Sequence, residues 1–162
     1  MIEIAPYAEH HRAGVIDLIL PIQQVEFGVP VTLRDQPDLL DIPGFYRKGN
    51  GNFWVAARAG EVVGTIALLD IGGGDGALRK MFVAAPFRGP QHGAGQRLLE
   101  ALLRWSAAGG MRRIYLGTTE EFRAAHRFYE KNGFRQVERS ELPAAFPVMK
   151  VDTRFYGREV PA

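Results

Sequence analysis

Hydrophobic residues change their spacing several times along this chain, and the changes predict alternating helices and strands. Residues 8–28 place apolar side chains at a period near 3.6, which predicts a helix that is broken or bent at Pro21. The apolar runs at 53–58 and 62–71 flank a turn containing Gly60, so they predict a β-hairpin. Residues 2–6 fit an edge strand, and a short helix is compatible with 36–40.

The pattern changes again in the second half of the chain. The nearly continuous apolar run Leu78–Ala84 predicts a strand buried on both faces. An amphipathic helix is predicted over 93–108, followed by a strand at 113–118. Thr118 to Glu121 match a capping box, which predicts a helix from there to about Lys131. Further strands are predicted near 134–138 and 148–154.

This order of elements predicts the fold class. One strand, helices, three strands, a helix, a strand, a helix and two strands indicate a mixed α/β sheet with helices on both faces. The chain has 162 residues, so we expect a single domain over 1–162. A chain of this size buries roughly 70% of its unfolded surface, enough for a core without covalent cross-links.

Composition narrows the function classes. The net charge of +2 gives no reason to expect nucleic-acid binding. The absence of cysteine excludes disulfides, cysteine nucleophiles and thiolate zinc sites, and no arrangement of histidines and carboxylates has metal-ligand spacing. The N-terminus does not resemble a secretory signal, and no apolar run reaches 18 residues. We therefore expect a cytoplasmic protein with no metal and no membrane contact.

A glycine-rich loop at residues 88–96 separates a predicted strand from a predicted helix. Glycines allow backbone N–H groups to approach an anion, and the helix N-terminus adds unpaired donors. The spacing matches neither a P-loop, which needs Lys-Ser/Thr, nor a dinucleotide fingerprint, which needs a third glycine. By itself, the loop is equally compatible with a phosphate site and with a connection that binds nothing.

The loop and a second motif together carry a family resemblance. Strand Leu78–Ala84, Arg88-Gly89, Gly93-Ala94-Gly95 and the run from Phe128 to Phe134 resemble the GCN5-related N-acetyltransferase (GNAT) superfamily. The resemblance implies a central, mostly antiparallel sheet with a splayed parallel pair of strands. It also implies acetyl-CoA as co-substrate.

The resemblance assigns candidate residues to that co-substrate. The backbone of Phe82 and Val83 would pair with the pantetheine arm, and an amide there would polarise the thioester carbonyl. The pyrophosphate would lie on the loop and the start of the helix, with these candidate residues: Arg88, Gly89, Gly93, Ala94, Gly95 and Gln96.

Tyr129 is the candidate catalytic residue. The resemblance implies that its phenol protonates the departing thiolate, which has a comparable basicity. A second interpretation is a core tyrosine, because Phe122, Ala125, His126 and Tyr129 share one helical face.

Three departures from the family pattern concern the same site. Counted from Arg88, the loop is two residues longer than usual, and we interpret this as an insertion that leaves Arg88 usable. Phe122 stands where many members have Asn, and Gly76-Ala77 where many have a catalytic Glu. The general base therefore stays open. The candidates by location are Glu26, Asp35 and Asp70, besides a water chain or a backbone carbonyl.

The resemblance predicts an enzyme that acetylates a primary amine of a small molecule or peptide directly, without a covalent enzyme intermediate. The charged residues of 23–42 are mostly acidic, which suggests a small cationic amine; the equally weighted alternative is that these acids cap helices and face solvent. A non-catalytic acyl-CoA-binding or sensor module and a protein that binds ATP or NAD are the alternative functions. The acceptor, a longer acyl donor and a homodimer stay open.

Overall fold

The computed structural model describes residues 1–161, in which seven strands form one sheet in the order β1-β2-β3-β4-β5-β7-β6. The strands are β1 (Ile2–Pro6), β2 (Asn52–Arg58), β3 (Glu61–Gly72), β4 (Asp75–Val83), β5 (Arg113–Thr118), β6 (Arg135–Val137) and β7 (Arg154–Glu159). The helices are α1 (Arg12–Pro21), α2 (Pro37–Leu40), α3 (Ile42–Tyr46), α4 (Ala94–Ala108) and α5 (Arg123–Lys131). The predicted mixed α/β class is confirmed.

One pair of strands breaks the antiparallel pattern. β4 and β5 run parallel and pair only from Asp75–Arg113 to Ala77–Tyr115. Beyond Ala77, β4 continues along β3 to Val83, while β5 continues along β7 to Thr118. The two strands therefore diverge, and the gap between them is where the candidate site lies.

The sheet separates two hydrophobic cores. On β2, Phe53 and Val55 face the core that contains α1, α2 and α3, while Trp54 and Ala56 face the core that contains α4 and α5. This is the period-2 alternation of a strand covered on both sides. Helix α4 contributes three fully buried leucines, Leu98, Leu99 and Leu102. Full burial of each stabilises the fold by about 1.5–3 kcal/mol relative to exposure.

Helix α1 bends where the sequence predicted it. Pro21 has no N–H to donate, and the next turn, Ile22–Glu26, is widened so that Phe27 N donates to Ile22 O at 3.1 Å. The widened turn carries Glu26 and Phe27 towards the gap in the sheet.

The run Leu78–Ala84 is not buried on both faces as predicted, because only Leu78 is buried and the later residues border the gap between β4 and β5. Two predicted boundaries were also wrong. The capping box does not start a helix, because Thr118 is still paired with Arg154 in the sheet; α5 begins only at Arg123. The last strand begins at Arg154 rather than at residue 148. Residues 149–152 form a turn instead, in which Asp152 Oδ2 accepts from Met149 N at 2.9 Å. In both places long-range pairing with β5 overrides the local sequence pattern.

The end of α5 follows the prediction. Gly133 has φ 85°, the left-handed conformation that favours glycine. Phe134 N donates to Tyr129 O at 3.0 Å, and Gly133 N donates to Glu130 O at 3.2 Å. These two bonds make a Schellman motif, and the Phe134 ring packs on the Tyr129 ring with centroids 5.6 Å apart. The motif at the C-terminus of α5 thereby fixes the position of Tyr129 on the same helix.

Candidate active site

The divergence of β4 and β5 opens two cavities. The larger, about 1030 Å³, lies between β4, the glycine-rich loop and α5. The smaller, about 210 Å³, lies between β4, β5 and the loop before β7. Four side chains line both cavities, so they mark the junction: Met81, Phe82, Phe122 and Tyr129.

The larger cavity gathers most of the residues predicted to bind the co-substrate. Ala94 does not line it, since its side chain is buried in the core beside α4. The other seven candidates do line it: Phe82, Val83, Arg88, Gly89, Gly93, Gly95 and Gln96. Their roles in binding stay predictions.

The start of α4 has the geometry of an anion site. Gly93 precedes the helix with φ 66°, and its N–H contacts Gly89 O at 3.3 Å. The next three N–H groups, of Ala94, Gly95 and Gln96, belong to the first helical turn, which has no intrahelical acceptor for them. The N-terminus of a 15-residue helix therefore points free donors and a partial positive charge at the cavity.

The larger cavity is also lined by basic residues to which the sequence analysis assigned no role. Arg123 starts α5 and Lys131 ends it, and both are exposed on its wall. Arg97 is less available, because its Nη1 donates to Ile2 O at 2.6 Å. Lys131 lies inside the family-like motif, which was a usable signal. For Arg123 no signal in the sequence existed, because its place depends on where α5 begins.

Arg88 is already engaged in this structure. Its guanidinium forms a two-point ion pair with Glu26, and its Nε donates to Val83 O at 2.7 Å. The side-chain hydrogen bond from Arg88 holds the pKa of Glu26 below its usual range. Arg88 therefore bonds a free carbonyl of the β4 edge, and Glu26, a candidate general base, is neutralised by a neighbour.

Tyr129 lies at the junction of the two cavities and is 7% exposed. Its hydroxyl has one weak contact, to Met81 Sδ at 3.7 Å. Burial raises the pKa of Tyr129, so the side chain is a neutral phenol throughout the physiological range. A phenol without a strong hydrogen-bond partner has its proton available for an acceptor that enters the junction.

Phe122, which replaces the common asparagine, has a packing role. Its ring meets Phe27 edge to face, with centroids 4.6 Å apart. Phe27 follows the bent end of α1 and Phe122 precedes α5, so the contact joins the two elements over the junction. The aromatic pair Phe27–Phe122 thus occupies the position at which many family members have an asparagine side chain.

The smaller cavity has a charged wall on β4. Lys80 has φ 50° at an irregularity in the pairing of β3 with β4. It forms a buried ion pair with Asp38, Nζ to Oδ2 at 3.4 Å, and Tyr46 donates to the same oxygen at 2.6 Å. Burial lowers the pKa of Lys80, while Asp38 opposes that shift. The pair holds the irregular part of β4 against α2 and α3.

Arg79 is the other cation of this wall. It is half-buried, and its guanidinium lies 5.5 Å from the Phe45 ring centroid and 4.0 Å from Met149 Sδ. Within residues 1–161, no carboxylate comes within 4.0 Å of it. Arg79 is therefore a half-buried cation that lines this cavity without forming a direct ion pair, although Asp35 and Asp152 line the same cavity.

The candidate bases separate by position. Asp70 lines neither cavity; it accepts from Asn50 N at 2.8 Å and Gly72 N at 2.9 Å. Asp35 lines the smaller cavity, and a backbone hydrogen bond from Thr32 lowers its pKa. Asp152 also lines it, half-buried, and the sequence analysis missed it because a loop position carries no periodic signal.

Two further searches concern other chemistry. Residues 1–161 contain no group of three or more histidines and carboxylates placed to hold a metal ion. In the same part of the chain, no helix has both the length and the apolar character needed to cross a membrane.

Known proteins resemble this chain at the level of sequence and fold. The family model described as Acetyltransferase (GNAT) family matches residues 16–134. An acetyltransferase of the GNAT family from Staphylococcus aureus has a TM-score of 0.94 at 37% identity, covering 99% of this chain and 100% of that one. An N-acetylaspartate synthetase from Danio rerio is 36% identical over 106 residues.

The extent of these matches differs. The aligned region is 64% of this chain but only 37% of the Danio rerio protein, so the chain spans little more than a third of that relative. An N-acetylglutamate synthase from Neisseria gonorrhoeae, solved with coenzyme A and N-acetyl-glutamate, has a TM-score of 0.78 at 17% identity and covers 100% of this chain and 36% of that one. That likeness concerns the fold alone.

Proposed function

The chain belongs to the GNAT family of acetyltransferases, and we propose that it moves the acetyl group of acetyl-CoA to the amino group of a small molecule that also carries a carboxylate. The observation that carries this proposal is the position of Tyr129. Its phenol lies between a long cavity of a size suited to a CoA and a small one suited to an amine. Acetyl-CoA in the larger cavity and the amine in the smaller cavity would both reach the Tyr129 hydroxyl.

The larger cavity suits a molecule with several phosphates. The free N–H groups of Ala94, Gly95 and Gln96 would bind the pyrophosphate, with Arg123 and Lys131 adding positive charge. Backbone groups of Phe82 and Val83 at the β4 edge would pair with the pantetheine amides, and Val83 O would then exchange its hydrogen bond from Arg88 Nε for one from the cofactor. When bound, acetyl-CoA supplies an activated acetyl thioester and a thiolate leaving group.

Tyr129 would supply the proton for that leaving group. Its raised pKa keeps the phenol protonated until a strong base is beside it. A thiolate released at the same buried junction is also poorly solvated, which raises its basicity, and it would replace the weak Met81 contact as the hydrogen-bond partner. Phe27 and Phe122 would keep water from the same place.

The position of Arg79 is the reason to propose that the acceptor carries a carboxylate. A guanidinium that lines a small cavity and forms no direct ion pair within residues 1–161 suits a planar anion that it can bind with two hydrogen bonds. Several acids of the 23–42 segment have partners already, Glu26 with Arg88 and Asp38 with Lys80, which weighs against a wall that attracts a purely cationic amine. Aspartate, the acceptor in the name of the Danio rerio relative, is a carboxylated amine.

Release of CoA from acetyl-CoA, measured over matched pairs of amines, tests the proposal. Each pair is an amino acid and the amine that lacks its carboxylate. We expect turnover of carboxylated acceptors and a preference that Arg79→Gln removes by raising KM about 10-fold or more, as for loss of a charged hydrogen bond. The control Arg104→Gln removes an exposed arginine of α4 and should change nothing.

Two results would overturn this proposal. Tight binding of acetyl-CoA without CoA release on any amine would favour the sensor module. Equal KM for carboxylated and decarboxylated partners would remove Arg79 from acceptor recognition and leave the acetyl transfer intact.

A further inference from the structure

Asp152 enters the smaller cavity from the loop before β7, and β5 is shaped to admit it. A Cβ placed on Gly117 would lie 2.5 Å from Asp152 Oδ2. Any other residue at this position of β5 would therefore displace the carboxylate. Glycine within a strand is unfavourable for packing, and here it permits the close approach of an acid. Tyr129 lines the same cavity.

Several charged groups face Asp152. Arg79 and Lys80 of β4 line its cavity, Asp35 lines the same cavity, and Arg139 acts on it from the turn after β6. Burial raises the pKa of Asp152, and the hydrogen bond from Met149 N and the two arginines only partly oppose the shift. A carboxylate whose pKa lies closer to neutrality is a better proton acceptor than an ordinary one.

Asp35, the other carboxylate of the cavity, differs in this respect. Its Oδ2 accepts from both Thr32 N and Thr32 Oγ1 at 3.0 Å, and its pKa is lowered, chiefly by the backbone bond. It is also exposed. Environments that move two carboxylate pKa values apart assign their roles, and they make Asp152 the stronger base.

We propose that Asp152 is the general base that takes a proton from the acceptor's ammonium group, an inference that rests on the proposed acetyl transfer. The neutral amine then attacks the thioester carbonyl carbon with its lone pair. The C–N bond forms as the C–S bond breaks, and the thiolate takes the phenolic proton of Tyr129. The amide nitrogen passes its extra proton to the Tyr129 phenolate, which restores the phenol, and Asp152 releases its proton to solvent. The net products are the amide, the free thiol and one proton.

Three variants separate this role from a structural one. Asp152→Asn keeps an oxygen that can accept from Met149 N but cannot take a proton, whereas Asp152→Ala loses both functions. Asp17→Asn, an exposed acid on α1, is the matched control. The measurements are kcat/KM against pH with a carboxylated amine, and calorimetric titration with acetyl-CoA.

We expect both Asp152 variants to lose about 100-fold or more of kcat/KM at pH 7, with acetyl-CoA affinity unchanged. This loss of kcat/KM should shrink about tenfold for each pH unit, because more of the amine is already neutral, until the pH reaches the pKa of the amine. The raised pKa makes the contribution of Asp152 to stability fall as pH rises above its unfolded value of about 3.9. Asp152→Asn should thus unfold at no lower temperature than the wild type at pH 7.

The opposing results are distinct. If Asp152→Asn keeps the wild-type pH profile while Asp152→Ala fails, Asp152 only holds its turn, and the inference is wrong while the acetyl transfer stands. If the wild type itself releases no CoA with any amine, the proposed function falls and the role of Asp152 falls with it.

Discussion

The state of single side chains determines what this site can do. Tyr129 is buried and protonated, Arg79 forms no direct ion pair within residues 1–161, and Asp152 is a half-buried acid. Burial raises the pKa of both Tyr129 and Asp152, which favours the protonated form of each. A proton donor, an anion binder and a proton acceptor thus surround one small volume.

Replacing Tyr129 by Phe tests the donor. The hydroxyl makes only the 3.7 Å contact to Met81 Sδ, so we expect little loss of stability and unchanged acetyl-CoA affinity. Turnover should fall about 100-fold or more, because the thiolate loses its proton source. Tyr7→Phe is the control, a buried tyrosine in the other core, and should retain full turnover. Equal turnover of Tyr129→Phe and wild type would leave only a packing role.

At the scale of elements, the end of α5 holds the donor in place. The Schellman bonds to Tyr129 O and Glu130 O, together with the Phe134 ring, fix the last turn of this helix. The motif that resembles the family is therefore also a complete local folding unit. The residues of this motif are therefore needed for the backbone geometry of the helix end as well as for the proposed proton transfer by Tyr129.

Gly133→Ala tests that unit. A residue with a Cβ at φ 85° costs roughly 1–2 kcal/mol of stability. We expect that loss in denaturant unfolding, together with reduced turnover, because the last turn of α5 shifts. Gly60→Ala is matched: its φ is 82° in the β2–β3 hairpin, with open space around the added atom. It should lose similar stability and keep turnover. Normal turnover in Gly133→Ala would mean that Tyr129 does not depend on the motif.

The ion pair between Glu26 and Arg88 links the bent end of α1 to the glycine-rich loop. Arg88 cannot bind a phosphate and Glu26 with the same nitrogens. We expect Glu26→Gln to lower the dissociation constant of acetyl-CoA in calorimetric titration, because Arg88 then has no competing carboxylate. Glu121→Gln removes an acid from the same cavity without touching Arg88, so it controls for general electrostatics. If both variants bind equally, or if Glu26→Gln binds more weakly, Arg88 does not exchange partners.

At the scale of the whole molecule, the two cores leave the sheet complete except where β4 and β5 diverge. These cores lie on opposite faces, and a third, smaller cluster that includes Phe146 and Phe155 packs on β5, β6 and β7, so the gap between β4 and β5 is the place where backbone groups and a cavity coincide. A ligand bound there would contact β4, α4 and α5 together. Binding should therefore stabilise the whole fold rather than one loop.

Thermal unfolding with added ligands tests this coupling. Acetyl-CoA at 100 times its dissociation constant should add about 2.7 kcal/mol to stability. ATP and NAD should add less, because they lack a pantetheine arm for the β4 edge. Lys131→Gln should weaken the effect of acetyl-CoA, whereas Lys48→Gln, an exposed lysine outside both cavities, should not. Equal stabilisation by ATP would instead support a nucleotide-binding protein.

The sequence by itself determined the order of elements, the glycine-rich loop before α4 and the left-handed stop at Gly133. These features depend on local physics, namely side-chain periodicity, helix termini and the conformational freedom of glycine. The placement of Tyr129 within the family-like motif was available for the same reason, since the motif is one continuous segment.

Only the tertiary structure decided the rest. Thr118 belongs to β5 and not to a helix cap, because β7 offers it a partner 36 positions later. Arg79 and Asp152 come from β4 and a loop, and they face one cavity only because two strands diverge. Glu26 forms an ion pair with Arg88, whereas Arg79 forms none within residues 1–161. These outcomes depend on contacts between residues distant in the chain, and no local sequence pattern encodes such contacts.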